Sequence, residues 1–382
     1  MIPIMHIEGF TFPVQDVYKN EFEEYVRSRS ISASEEVSFP RKVKDVDFEL
    51  LVKLLIVLLT NPDNKTEDIY QPIQGCVLIF LPGISEISRM IRYISACFSS
   101  SPRVSRLVLL PLHSNLSPSE QAKVFVTYKD PTVVKIICAT NIAEASVTIP
   151  DVTVVIDSCK VKAMYYDVNT QSNTLLTAMA GRFNLVQRKG RAGRVRAGRC
   201  YKLITQHTYE NIIQQQMPPE ILRISLDSII LQCYAMKEVF MQQSRKAGDS
   251  SVFTSADILS KCIDCPSKES IVLTEHKLAL LQAIDLEQAE LTHLGTWLSN
   301  LACSPQIGRL LVYGVIMKCV TDACLVASII TCKSPFVSFN PHTNNASEED
   351  KKNKEKVGGA MVSLQFASSL HTTSIILSLC VA

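Results

Sequence analysis

The sequence predicts an α/β fold, a parallel sheet followed by domains that are mainly helical. Three observations carry this expectation. Continuous apolar runs of strand length, GCVLIFLP at 75–82 being the clearest, alternate with stretches whose apolar residues recur every three or four positions. The alternation holds over roughly residues 46–205 and then gives way to helical spacing with few glycines. At 382 residues, 47% hydrophobic and 20% charged, the chain is long enough to bury two or three separate cores.

The elements follow in order. MIPIMHIEGFTFPVQDVY alternates apolar residues and turns extended at Pro13, which predicts a strand with no targeting segment before it. VDFELLVKLLIVLLT at 46–60 reads as an amphipathic to buried helix, and 61–74, polar with two prolines, as a loop. The strand at 75–82 runs into GISEISRMIRYISACF, where Ile84, Ile87, Met90, Ile91 and Ile94 fall at helical spacing, making a βα unit. The pattern repeats as a strand at 106–112, a helix at 118–128, a strand at 132–139, a turn at 142–145 and a strand at 152–157. In KVKAMYYDVNTQSNTLLTAMA, 160–180, two apolar-rich arms flank a polar turn and predict a β-hairpin. PPEILRISLDSIILQCYAM, 218–236, opens on prolines suited to a helix start; 266–331 is largely helical, and SEEDKKNKEK at 347–356 is a charged linker.

Composition bounds the function. A net charge of +2 does not by itself announce a nucleic-acid partner. Thirteen cysteines without a regular framework predict reduced thiols in a cytoplasmic or nuclear protein. Cys262 and Cys265 form a single CxxC with no second pair at zinc-site spacing, so structural cysteines are expected there and no metal site. The longest apolar run, 50–59, is broken by Lys53 and is too short to span a bilayer, so no membrane partner is expected.

The basic run QRKGRAGRVRAGRCYK at 187–202 departs from this balance. Arg182, Arg188, Lys189, Arg191, Arg194, Arg196, Arg199 and Lys202 fall within 21 residues that hold no Asp or Glu. A one-sign cluster broken by Gly190, Gly193 and Gly198 asks for an anionic partner, and arginine forks match phosphate oxygens with glycines allowing close backbone approach. The bland alternative is a nuclear-targeting or heparin-like patch.

QRKGRAGR resembles motif VI of the superfamily 2 helicases, in the form used by DEAH-box/RHA-type RNA helicases, and ATNIAEASVTIPDVTVVID at 139–157 resembles their motif V at that family's spacing. The resemblance extends from about His6 to about Lys356. It implies a RecA-like parallel sheet domain with a projecting β-hairpin, followed by winged-helix and helical-bundle domains. The implied boundaries are 1–45 for a remnant of a first RecA-like domain with its linker, 46–205 for the second RecA-like domain, and 206–265 for the winged helix. A partial ratchet domain follows at 266–345, carried by LTHLGTWLSNLACSPQIGRLLVYG and CKSPFVSFN, and then a linker and tail at 346–382, with the resemblance ending near Val357.

The resemblance also implies roles. ATP with Mg²⁺ would be the cofactor, shared with a first RecA-like domain, and single-stranded RNA the substrate, with protein activators as further partners. Gln187, Arg191 and Arg194 would meet the γ-phosphate and its attacking water, the two arginines as arginine fingers, with Gly190 beside the nucleotide. Arg188 could join them or form a structural ion pair. Phe125, in SPSEQAKVF, either stacks on adenine or is a buried helix residue. His113, Ser114, Thr140 and Asn141 match positions near the RNA backbone, where short polar groups hold phosphates without reading bases. Ala145, Pro150, Gly181 and Phe183 depart from the family pattern. No Gly-Lys and no Asp-Glu dipeptide occurs, so the GxxxxGK[ST] cradle and the DEAH box are absent, and the chain alone is expected not to hydrolyse ATP. The rival class is a non-enzymatic module that binds RNA or a protein partner.

Overall fold

A computed structural model describes residues 12–28, 46–60, 68–70, 73, 75–98, 106–128, 130, 133–145, 148–167, 172–237 and 254–331. The expected linker and tail at 346–382, the CKSPFVSFN segment and most of the 61–74 loop lie outside them. The chain divides into two compact units, 1–218 and 219–382.

The first unit is built on strands β1 (Val14–Tyr18), β2 (Cys76–Phe80), β3 (Arg106–Leu112), β4 (Val133–Ala139), β5 (Val152–Asp157) and β8 (Gly198–Lys202). They form one sheet in the order β1-β8-β5-β2-β4-β3, and every pairing is parallel. β2 and β5 are buried at each residue, as strands covered on both faces must be. Alternate residues of β2 feed different cores: Val77 and Ile79 pack on one side, Cys76, Leu78 and Phe80 on the other. The first core is closed by α1 (Lys19–Arg27), α2 (Phe48–Thr60) and α3 (Ile84–Phe98), with eight apolar residues of α2 buried. The second contains Leu112 at the end of β3, with Val124, Ala143, Ile149 and Ala192 from the loops and short helices between elements.

Two parts of this unit depart from the sequence reading. The strand placed with the 1–45 remnant is β1, the edge strand of the same sheet, so the sheet domain begins before residue 46. It is held there by charge: Lys202 donates to Asp16 from β8 and lies 4.8 Å from the Tyr18 ring and 4.7 Å from the Tyr209 ring. The expected helix at 118–128 is only α4 (Pro118–Ala122), followed by one 3₁₀ turn at Lys123–Phe125 and extended backbone at Val126. α4 is well started, with Pro118 in its first turn and a Ser117–Glu120 capping box, but nothing in it is buried, so no packing prolongs it. The hairpin forms as predicted from β6 (Lys160–Asp167) and β7 (Ser172–Met179), antiparallel through eight residue pairs. The turn at 142–145 is one helical turn, α5 (Ile142–Ala145), and α6 (Arg182–Lys189) leads into the basic run.

In the second unit, α7 (Asp227–Ala235), α8 (Ser255–Leu259), α9 (Lys268–Leu280) and α10 (His293–Asn300) share a core with the short antiparallel pair β9 (Ile284–Asp285) and β10 (Glu290–Leu291). α11 (Pro305–Ile316) and α12 (Val320–Thr331) pack on each other around Leu311, Ala323, Cys324 and Ala327. Pro218 and Pro219 do not start the helix as expected; Pro219 precedes a 3₁₀ turn, and α7 begins at Asp227. Asp227 is buried and accepts from Lys277 and Gln306, both at 2.6 Å, which sets the helix start by tertiary contacts. The two-residue strands of β9–β10 are too short for alternation to reveal.

Candidate functional site

Because the sheet of the first unit is entirely parallel, its strands end on one edge, where loops can gather chemistry. Leu112 and Ala139 are register partners at the ends of β3 and β4. The amide of Thr140 donates to the Leu112 carbonyl at 3.1 Å, which places His113 and Ser114 beside Thr140 and Asn141. Ser114 and Asn141 are exposed, and His113 and Thr140 half-buried. His113 Nδ1 accepts from the Asn115 amide at 3.3 Å, which fixes the ring against its own turn.

Thr140 and Asn141 lead into α5, and α5 carries Glu144. That carboxylate is buried and accepts from Asn184 Nδ2 at 2.6 Å and Arg188 Nε at 2.9 Å, both on α6. Arg188 also donates from Nη1 to Asp157 Oδ1 at 3.0 Å and to the Lys160 carbonyl at 3.3 Å, with its guanidinium 5.0 Å from the Phe80 ring. It is 1% exposed. Burial acts to lower its pKa, and the Asp157 and Glu144 charges outweigh that and leave it raised. Of the two readings of Arg188, the structure contains the ion pair.

The turn after α6 carries Gly190, Arg191 and Arg194, with Gln187 half-buried on the last turn of the helix itself. Arg191 donates to the backbone carbonyl of Glu144, and Arg194 Nη1 to the Thr148 hydroxyl at 2.6 Å. Both bonds reach neutral groups of the 140–148 segment. Burial, then the neighbouring Arg194, holds the Arg191 pKa below its ordinary value, with Glu144 opposing. Gly190 is exposed, and a side chain there would meet little beyond the Gln187 carbonyl at 3.3 Å. Gly193 differs: a Cβ would lie 2.5 Å from the Phe12 carbonyl oxygen, and the Phe12 amide donates to Gly193. Its lack of a side chain serves the docking of the segment before β1, not the approach of a phosphate.

Phe125 is 46% exposed, which removes the reading of it as a buried helix residue. The expected structural role of Cys262 and Cys265 is not met either, since both are exposed thiols. Among the described residues no group of His, Cys, Asp and Glu could hold a metal ion, and no helix is long and apolar enough to cross a membrane.

The basic run itself needs correction. Lys189 and Lys202 both bind Asp16, Arg188 binds Glu144 and Asp157, and Arg182 donates to the carbonyls of Ile213 and Glu210. Part of the charge, on Arg188, Lys189 and Lys202, is met by acids remote in sequence. The sequence reading missed those acids because single Asp and Glu residues carry no local signal. It also missed Lys162 on β6, which ties the hairpin to α3 through Glu86 at 2.9 Å, and Lys135, a charge within an apolar strand that such a pattern does flag.

Comparisons with known proteins fit this geometry. A model of the helicase conserved C-terminal domain matches residues 62–196, and one of the ratchet-like helicase-associated domain (HA2) matches 304–370. The ATP-dependent RNA helicase DHX29 of Homo sapiens is 34% identical over 295 residues, covering 77% of this chain and 20% of that protein. The chain belongs to the DEAH-box/RHA-type RNA helicase family. The chloroplastic DExH-box ATP-dependent RNA helicase DExH4 of Arabidopsis thaliana is 34% identical over 329 residues, 85% of this chain and 20% of its own length. The crystal structure of the Escherichia coli DEAH/RHA helicase HrpB shares the fold, with a TM-score of 0.62 at 22% identity, covering 95% of this chain and 38% of that one. The chain thus spans about a fifth of the two curated relatives named. In this DEAH-box/RHA-type chain the ratchet-like match runs to residue 370, beyond Val357, where the motif resemblance read from the sequence stops.

Proposed function

We propose that this chain forms a C-terminal part of an ATP-driven RNA motor, contributing arginine fingers to an ATP site completed by a domain that carries the phosphate cradle and Mg²⁺ ligands. The observation that carries this reading is the contrast within one motif. Arg188 is consumed by two carboxylates, whereas Arg191 and Arg194 rest on a carbonyl and a hydroxyl of the 144–148 segment. A guanidinium bonded to a carbonyl or a hydroxyl can exchange that bond for a developing phosphoryl charge. Gln187, one turn earlier, would orient the attacking water, Gly190 would leave room beside the phosphates, and Phe125 would stack on the adenine.

RNA would run along the adjoining turns, with Ser114, Thr140, Asn141 and the backbone near His113 holding successive phosphates. α5 joins the two functions, since Asn141 stands at its start and Glu144 on its only turn holds Arg188 and receives Arg191. In the second unit, the helices α7–α9 with the β9–β10 pair would be the winged-helix domain, which moves its end from 265 to about 291, and α11–α12 would open the ratchet domain. A cytoplasmic or nuclear setting belongs to the same reading, since thirteen cysteines without a regular framework suit a reducing compartment.

The test is phosphate release with and without single-stranded RNA, measured on the chain alone and joined to a domain bearing GxxxxGK[ST] and DEAH. The expected result is no turnover alone and RNA-stimulated turnover when joined. RNA-stimulated turnover by the chain alone would overturn the shared-site reading.

A further inference from the structure

Lys135 lies on β4 between Val134 and Ile136, in the middle of a strand that is otherwise apolar, and it is 2% exposed. An ammonium removed from water is unfavourable unless its hydrogens are bonded, and lysine has three of them. Here all three have acceptors: the Val124 carbonyl at 3.0 Å, the Val126 carbonyl at 2.8 Å and Asp151 Oδ1 at 2.8 Å. The two carbonyls flank Phe125. Val124 is fully buried in the second core, while the Phe125 ring stands 46% exposed. The segment has little else to hold it, since α4 buries nothing and the 3₁₀ turn closes with one Val126-to-Lys123 bond of 3.3 Å. Asp151 in turn follows Ile149, buried in the same core, and Thr148, which receives Arg194.

We propose that Lys135 is a positioning residue for nucleotide binding: its buried ammonium clamps the backbone on both sides of Phe125, presents the ring to a purine base, and ties it through Asp151 to the segment under Arg194. This rests on the reading of Phe125 as the base-facing ring. A charge in the strand serves here where a methionine would pack as well, because only a multiple donor can hold two carbonyls that point at one spot.

The test uses the 382-residue chain, whose sole tryptophan is Trp297. Phe125→Trp in a Trp297→Phe background makes an indole reporter independent of any ligand. With Lys135 present, its time-resolved anisotropy should decay with overall tumbling. Lys135→Met should add a nanosecond component and raise acrylamide quenching about twofold or more, with far-UV circular dichroism unchanged. Asp151→Asn, which leaves both carbonyl bonds, should keep the indole constrained. Should Lys135→Met alone fail to fold, Lys135→Met with Asp151→Leu removes both charges of the pair and should fold with the indole still loose. An indole equally constrained without Lys135, or loosened as much by Asp151→Asn, overturns the clamp.

A second arm uses chains that retain Phe125 and compares ATP with inorganic tripolyphosphate as competitors of a fluorescent ATP analogue. Lys135→Met should weaken ATP by about fivefold or more, a stacked base being the interaction lost, and leave tripolyphosphate unchanged. A parent chain that binds both alike would refute the base-facing reading of Phe125, while the indole measurements would still decide the clamp.

Discussion

Arg188 and the pair Arg191 and Arg194 share one eight-residue motif, one chemistry and one local sequence signal, yet they occupy opposite environments. Arg188 is sealed between Glu144 and Asp157 under the end of the sheet, with its pKa raised. Arg191 and Arg194 emerge on the following turn, bonded to a carbonyl and a hydroxyl, with the Arg191 pKa lowered. An arginine's role is set by the acceptors that the rest of the chain brings to it. A buried guanidinium between two acids builds the frame. A guanidinium held by a carbonyl or a hydroxyl is the kind that the proposed arginine fingers call for.

The sharpest way to break this comparison is through turnover. In a form that includes the phosphate-binding domain, Arg191→Ala or Arg194→Ala should lower RNA-stimulated kcat by about 10³–10⁵, with the unfolding midpoint almost unchanged. Loss of stability in place of turnover would place these arginines with Arg188. Next in size is Arg188→Ala, which leaves Glu144 and Asp157 buried and uncompensated; a loss of about 3–5 kcal/mol in denaturant unfolding of the first unit is expected. A near-neutral Arg188→Ala would mean that the ion pair does not hold the frame.

A smaller effect should follow on the RNA side. Ser114→Ala with Thr140→Ala should weaken binding of labelled homopolymer RNAs by roughly thirtyfold, alike for all sequences, as losing two hydrogen bonds of about 1 kcal/mol each predicts. Binding should fall as salt rises. Weakening confined to one homopolymer, or no salt dependence, would show base-reading contacts elsewhere.

The smallest effect concerns the hairpin. Burial acts to raise the Glu86 pKa, but the Lys162 hydrogen bond and charge, a backbone bond and Ser85 together outweigh it and hold the carboxyl below its ordinary value. A depressed folded-state pKa stabilises above the unfolded value, and that contribution is lost as pH falls through the folded one. Lys162→Met should therefore cost about 1 kcal/mol or less near neutral pH and make unfolding less sensitive to acid below the usual carboxylate range. An unaltered acid profile would show that the pair does not anchor the hairpin.

Much of the first unit was legible because its strands are buried on both faces and so read as continuous apolar runs; CVLIF needs no partner to declare itself. The hairpin was legible for a related reason, two arms around a polar turn. The β9–β10 pair was not, since two residues show no period. Neither was the end of α4, where the capping box and Pro118 announce a start but the stop comes from missing burial and from Lys135 on the carbonyls beyond. At the candidate site, glycine and arginine spacing pointed to the turn after α6 but could not sort its members. Gly193 is crowded by Phe12 while Gly190 is open, and both are glycine in the sequence.

The sequence by itself determined the strands β2 to β5, the helices α2 and α3, the β6–β7 hairpin and the basic run leading into β8, because burial on two faces and one-sign charge are local properties of a chain. Only the tertiary structure decided that β1 joins the same sheet, that Asp16, Glu144 and Asp157 take up part of the basic charge, and that Lys135 grips the turn beneath Phe125. Those outcomes depend on groups between 9 and 186 residues apart meeting in a low-dielectric interior, where a charge persists only beside its partner.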